Sequence, residues 1–448
     1  MTTRSMRPSR RTRTVTTLTL ASALALAAAA CGSSTSSKPA ATTAAATTAA
    51  ATTAAAATTA AATTAAAATT AAAGGGGDAG AVQALLTKAF QTEVKAADLD
   101  PLIVEAMGRA TATLTAAQLD TAYTCWKGAD CKVPGGGAKV MAIVDAFGGN
   151  TWRRVSKMET ILQALTYPDI GRIISSDANF DLPTYQTQVR GAVAQGANYL
   201  VGYNDFGDAM AQSFKDAQAK GAFVSIYVGP VPTAGADAIV TQIVTDTCGA
   251  GTAMADTAAT LTSGKGKIAF FNGTPGNPQG ASWNKCVLDE LSKKSPDVKQ
   301  TFAADTKWTP AGAAEAASAL IATGNPVDAI LYDYADPLPG VVDTFKQAGK
   351  KPPSLITWTV NNDLFHVWEQ NQGTPNAFEL YFTSGLNWVA RVSVTAVEDA
   401  AAGKPGKAVI HYPLPFVKAE KGMYDSTKPG DFPRSAIIPE DLLKRMVS

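Results

Sequence analysis

Lys139-Val140-Met141-Ala142-Ile143-Val144 runs into Asp145 and then into Gly148-Gly149-Asn150-Thr151-Trp152-Arg153. The apolar run reads as a strand covered on both faces, because a strand with one wet face alternates polar and apolar residues. The glycine pair ends it, and a helix starts at about Thr151. Strand, tight loop and helix in that order open a βαβ unit, which commits the chain to a parallel sheet with helices on both faces.

Working outward, the pattern repeats. Gly171–Ser175 is a second strand. Asp181 caps a helix that begins at Pro183, carries Val189, Val193 and Ala194, and stops at Gly196. Tyr199–Gly202 is a third strand, Asp208–Lys220 a helix closed by Gly221, and Phe223–Val228 a fourth strand. A second series follows at Lys267–Phe271, Ala329–Tyr332, Ser354–Trp358 and Phe378–Phe382. Two such series predict two similar α/β lobes, with an additional helical segment between Gly80 and Gln118 ahead of them.

In open parallel sheets, ligands bind beyond the carboxyl ends of the strands. Here those loops are polar and aromatic. They are Asp145 to Arg153, Tyr203-Asn204-Asp205-Phe206-Gly207-Asp208, Asn272 to Gln279, Asp333-Tyr334-Ala335-Asp336-Pro337, and Trp358 to Asp363. Aromatic faces cover the C–H patches of a sugar while amides and carboxylates read its hydroxyls. The candidate ligand residues are therefore Asn150, Trp152, Arg153 and Asp205 from the first lobe and Asn277, Gln279, Tyr334 and Asp336 from the second. Asp246 and Trp358 are expected near the hinge. Asn150 equally suits a helix cap, and each aromatic equally suits a core.

The ends of the chain say where it works. Of 448 residues, the first 30 carry five arginines and no acid, and Val15–Ala30 is an apolar run too short for the ~20 residues of a spanning helix. A basic start, an apolar middle and small residues before a cut describe a secretory signal. Ser9-Arg10-Arg11 also hints at twin-arginine export. Leu26 to Cys31 resembles a bacterial lipobox, which implies lipidation at Cys31. Residues 38–73 repeat Thr-Thr with three or four alanines, and Gly74–Gly77 closes the tract. Such a tract has nothing to bury, so it reads as a tether. As a flexible coil, its ~42 residues span roughly 35 Å r.m.s.. Without the first 30 residues, 33 bases stand against 37 acids. That mildly acidic body argues against nucleic-acid binding, which needs a basic face.

Four further cysteines, Cys125, Cys131, Cys248 and Cys286, suit disulfides outside the cytoplasm. Four cysteines allow three pairings. Cys125 and Cys131 are close enough to bridge easily and are expected to be bonded to each other, while the sequence leaves the pairing of Cys248 and Cys286 open. Zinc does not fit the spacings, and only two histidines occur, His366 and His411, far apart. No P-loop and no placed nucleophile–histidine pair is present, so the reading is a binding protein without catalytic residues, metal or cofactor.

From Lys139 to about Gly403 the chain resembles the ribose-class periplasmic binding proteins of sugar importers. The resemblance rests on six segments in order. They are the opening strand, Gly149 to Arg153, Ala194-Gln195-Gly196-Ala197 with Tyr203 to Asp208, Val244-Thr245-Asp246, Gly273-Thr274-Pro275-Gly276-Asn277, and Ala329 to Pro337. The chain lacks the arginine that the family often carries near Pro278-Gln279 and the hinge aspartate expected near Thr359. The resemblance implies two Rossmann-like lobes joined by three crossing segments, the type I periplasmic binding protein fold. The expected organisation is a lipoprotein signal at 1–31, a linker at 32–79 and a helical extension at 80–137. Lobe one would comprise 138–232 plus 385–412, lobe two 233–384, and 413–448 would be a tail packed on the lobes. The implied protein is lipid-anchored outside the cell membrane, captures a sugar or polyol, and hands it to an ABC permease and its ATPase. The alternative is a surface sensor of the same fold.

Overall fold

A computed structural model of the protein describes residues 77–229 and 233–447. The expected signal segment, Cys31 and nearly all of the 32–79 tether lie outside the described residues. Three helices come first, α1 (Ala79–Phe90), α2 (Pro101–Ala110) and α3 (Ala116–Lys127). Asp78 and Asp100 cap the first two, and Thr115 with Gln118 forms a reciprocal cap on the third. The alternating part follows: β1 (Asp130–Lys132), β2 (Lys139–Asp145), α4 (Thr151–Ala164), β3 (Ile170–Asp177), α5 (Leu182–Ala194), β4 (Tyr199–Tyr203), α6 (Ala211–Ala219), β5 (Phe223–Val228) and β6 (Thr241–Thr245). The chain continues through α7 (Thr247–Leu261), β7 (Lys265–Asn272), α8 (Pro278–Lys294), β8 (Asp297–Asp305), α9 (Pro310–Ala322), β9 (Ala329–Tyr332), α10 (Leu338–Gln347), β10 (Ser354–Thr357), α11 (Asn362–Asn371) and β11 (Leu380–Phe382). It ends with α12 (Val389–Ala401), β12 (Val409–Tyr412), β13 (Val417–Lys418) and α13 (Glu440–Val447).

Two sheets result. The first has the order β1-β3-β2-β4-β5-β6-β12 and the second β13-β11-β10-β9-β7-β8. All pairings are parallel except those of the edge strands β1 and β13. In β2, Met141 and Ile143 enter the core shared with α4 and α12, while Ala142 and Val144 enter the core under α5 and α6. Both faces are covered, which is why its sequence does not alternate. In the first sheet β2 lies between β3 and β4, and in the second β7 lies between β8 and β9. At such points successive connections leave toward opposite faces and open a crevice at the carboxyl ends of the strands.

The sequence places residues 233–384 in the second lobe, but β6 pairs with β5 and β12 in the first sheet. The chain therefore crosses after Thr245. It returns between β11 and α12, whose buried face packs on α4, β4 and β5, and it crosses again between β12 and β13. The tail then ties both lobes. Asn362 Nδ2 donates to the carbonyls of Asp425 and Lys428 at 2.8 and 3.1 Å in the second lobe. Ile437 N donates to Glu159 Oε1 at 2.8 Å in the first lobe, and α13 packs on α3. Glu159 is fully buried against Arg391, so the tail completes a buried ion pair. Cys125 is bonded to Cys131 and Cys248 to Cys286.

Candidate ligand-binding cleft

The crevices of the two sheets meet in one cavity of about 620 Å3, counting the space open to solvent. Its first wall is built where β2, β4, β5 and β6 end and carries Phe147, Asn150, Trp152, Arg153, Tyr203, Val228 and Thr245. Its second wall follows β7 to β10 and carries Gln279, Trp308, Asp333, Tyr334, Trp358 and Thr359. Gly385, Leu386, Tyr412 and Leu414 close it along the crossing segments. Seven of these residues are aromatic, so a ligand meets ring faces first and polar atoms at few, fixed places.

Arg153 organises the first wall. Its Nη1 donates to Asp145 Oδ1 at 2.6 Å, and its Nη2 donates to both oxygens of Asp205 at 2.9 Å. The guanidinium carbon lies 3.4 Å from the centroid of the Tyr203 ring. All three ionisable groups are buried. Burial pushes Asp145 up to about 7, against the pull of Arg153, and it raises Asp205 as well. Burial alone would lower Arg153, but the two carboxylates hold it above its ordinary value, so it stays charged.

On the second wall Asp333 accepts from Trp308 Nε1 at 2.8 Å and from Gln279 Nε2 at 3.3 Å. Burial raises its carboxyl to about 6 despite these donors. The Trp308 ring lies against Gly273, where a Cβ would come within 2.0 Å of it. The walls touch directly, because Tyr203 Oη donates to Gln279 Oε1 at 3.0 Å. Trp152 Nε1 donates to the carbonyl of Gly385 on a crossing segment, and Asn387 Nδ2 donates back to the Trp152 carbonyl at 2.9 Å. Val228, Trp308 and Leu386 all line the cavity with left-handed backbones, at φ 62°, 53° and 57°. Such conformations cost of order 1–3 kcal/mol each and cluster at ligand clamps.

A family model described as periplasmic binding protein domain matches residues 141–404, which include both sheets' central strands and most of this cavity. The chain belongs to the periplasmic binding protein family. The two-lobed architecture agrees with solved structures of low identity. One is the arabinose ABC transporter's periplasmic binding component from Shewanella sp. ANA-3, bound to L-arabinofuranose, at 17% identity and TM-score 0.56 over 62% of this chain and 92% of that one. Another is an ABC transporter solute binding protein from Bacillus halodurans C-125 with bound myo-inositol, at 15% identity and TM-score 0.55 over 63% and 95%. A third is the fructose binding periplasmic domain of a hybrid two component system, at 16% identity and TM-score 0.55 over 63% and 91%. No curated protein matches the chain. The family works outside the cytoplasm and its members bind ligands. In this binding protein no helix among the described residues is long and apolar enough to cross a membrane. No described group of three His, Cys, Asp or Glu is placed to hold a metal ion.

Six of the ten expected residues of this binding protein, Asn150, Trp152, Arg153, Gln279, Tyr334 and Trp358, line the cavity. The other four do not. Asp205 is turned to Arg153. Asp246 and Asn277 spend their side chains on helix caps, accepting from Gly249 N at 2.7 Å and Gln279 N at 2.8 Å. Asp336 sits behind Tyr334, taking hydrogen bonds from its hydroxyl and from Asn361 Nδ2. Asn150 also caps α4 through Arg153 N while lining the cavity. Sequence reasoning passed over Asp333, Thr245, Thr359 and Tyr412. Asp333 was in a quoted loop, and its signal was its position as the first residue after a strand.

Proposed function

We propose that this protein is the extracytoplasmic substrate-binding component of an ABC importer, anchored through a lipid on Cys31, and that it captures a sugar or polyol between its lobes for delivery to a permease. The observation that carries this reading is the cavity shared by the carboxyl ends of both sheets, with ring faces on each wall and Tyr203 bonded to Gln279 across it. A ligand seated there contacts both lobes only when they are closed, and that differential contact drives closure. The sugars and the polyol named for the similar structures support the ligand class. The similar fructose-binding domain of a two-component system favours a second reading, a sensor that reports ligand without transport.

A thermal-shift screen of sugars, polyols and nucleosides tests capture, because a ligand that binds only the folded state raises its melting point. A sugar or polyol hit supports the reading, and hits confined to other classes contradict the ligand assignment. Cys31→Ser tests the anchor. Release into the medium or an uncleaved precursor is expected, and unchanged membrane attachment and mobility contradicts it. Loss of uptake of the hit in a deletion strain supports import. Retained uptake with a lost transcriptional response supports sensing.

A further inference from the structure

Asp333 is only 5% exposed and faces the cavity. The side chains that donate to it, the indoles of Trp308 and Trp283 and the Gln279 amide, are all neutral. Among the described residues no ion pair reaches it. The carboxylates of the opposite wall differ, because Asp145 and Asp205 share the Arg153 guanidinium. Asp336, nearby, is also held by neutral groups, but it lies behind Tyr334 and outside the cavity wall.

Around the cavity, then, three buried carboxylates face a single cation. A carboxylate taken out of water without a counter-charge is costly, so buried charges are normally paired. Nothing among the described residues supplies a counter-charge for Asp333, and it lines the cavity in which a ligand would sit. The surroundings suit a cation. Trp308, Tyr334 and Trp358 line the same wall, and the electron-rich faces of such rings attract ammonium groups. An acidic ligand would instead meet an uncompensated carboxylate.

We propose that Asp333 seats a protonated amine of the ligand, so that the preferred substrates are amino sugars or amino polyols rather than their neutral or acidic counterparts. The proposal rests on the reading of the cleft as the ligand site. Arg153, already matched by two carboxylates, faces the ligand's hydroxyls from the opposite wall.

The test is isothermal titration of the purified protein with three matched pairs, glucosamine and glucose, galactosamine and galactose, mannosamine and mannose, with glucuronate as the acidic control. The amine of at least one pair should bind about tenfold or more tighter than its parent, and glucuronate should not bind. Asp333→Asn keeps the shape and removes the charge. It should bring that amine within about twofold of its parent, and an unchanged circular-dichroism spectrum with a single cooperative melt confirms that the variant is still folded. A neutral sugar that binds as tightly as its amine overturns the proposal and leaves the cleft reading intact. An amine preference that survives Asp333→Asn overturns it too. Binding by none of the seven also overturns it, and the cleft reading then falls only if the wider screen of sugars and polyols is empty as well.

Discussion

Tyr203→Phe removes one oxygen from the cleft and keeps the ring on which Arg153 rests, 3.4 Å from its centroid. What disappears is the hydrogen bond to Gln279 Oε1, at 3.0 Å, which joins the two walls. A neutral hydrogen bond contributes about 0.5–1.5 kcal/mol net. Taking ~1 kcal/mol, the ratio of closed to open protein without ligand should fall about fivefold, since 1.4 kcal/mol is tenfold. Ligand binds the closed form, so the apparent Kd rises as the closed fraction falls, by up to the same factor where the open form dominates without ligand. The populations can be read by single-molecule energy transfer between dyes on α5 and α9, one helix from each lobe. Gln279→Ala should open the protein to a similar extent, because the hydrogen bond it also gives Asp333 lies within one wall and is lost from open and closed forms alike. The double variant should show a coupling of about 1 kcal/mol rather than simple addition. The reasoning is refuted if Tyr203→Phe closes as often as the parent, or if the two single effects add without coupling.

Four other outcomes follow from the same geometry. Trp152→Ala should weaken binding more than tenfold and also lower the melting temperature, because the ring packs against two cores and holds the Gly385 carbonyl; circular dichroism and titration read both. Asp336→Ala should act through stability, since it strips Tyr334 and Asn361 of an acceptor, at a cost of about 1–3 kcal/mol seen in chemical unfolding. Truncation after Ser435 should destabilise the protein by more than that, because Glu159 loses the Ile437 amide and the buried Ile438, Leu442 and Leu443 are removed. For pH, Asp333 is raised to about 6 when folded, above its unfolded value, so the folded state holds the proton more tightly. Its ionisation penalty is absent below pH ~4, grows to at most about 3 kcal/mol as pH rises to ~6, and stays thereafter. Asp333→Asn should therefore stabilise the unliganded protein at pH 7 and not at pH 4, by thermal unfolding at each pH.

The strands most legible in the sequence share one property, burial on both faces. β2, β4 and β7 announce themselves as apolar runs because each is covered on both sides. β6 reads Thr-Gln-Ile-Val-Thr and is just as buried, although three of its five residues are polar; Thr245, for one, shares a hydrogen bond with Tyr412. Pattern alone cannot distinguish it from a loop. β8 is an edge strand with exposed residues along its length, and its polar composition hides it. The site was legible as a set of loops rather than as a set of side chains. An Asp or Asn between a strand and a helix is demanded equally by a cap and by a ligand. Asp246 and Asn277 prove to be caps, whereas Asn150 is a cap that also reaches the cavity. Choosing between Asp333 and Asp336 depends on the path of a single loop, which composition does not encode.

The central claim is that ligand sits between the lobes, held by both walls. A crystal structure of the protein with the tightest ligand from the screen tests it most directly. The account predicts density enclosed by the two walls, within hydrogen-bond distance of Gln279 and Asp333 on one side and of Asn150 or Arg153 on the other. Ligand density anywhere else, with this cavity filled only by water, would contradict it.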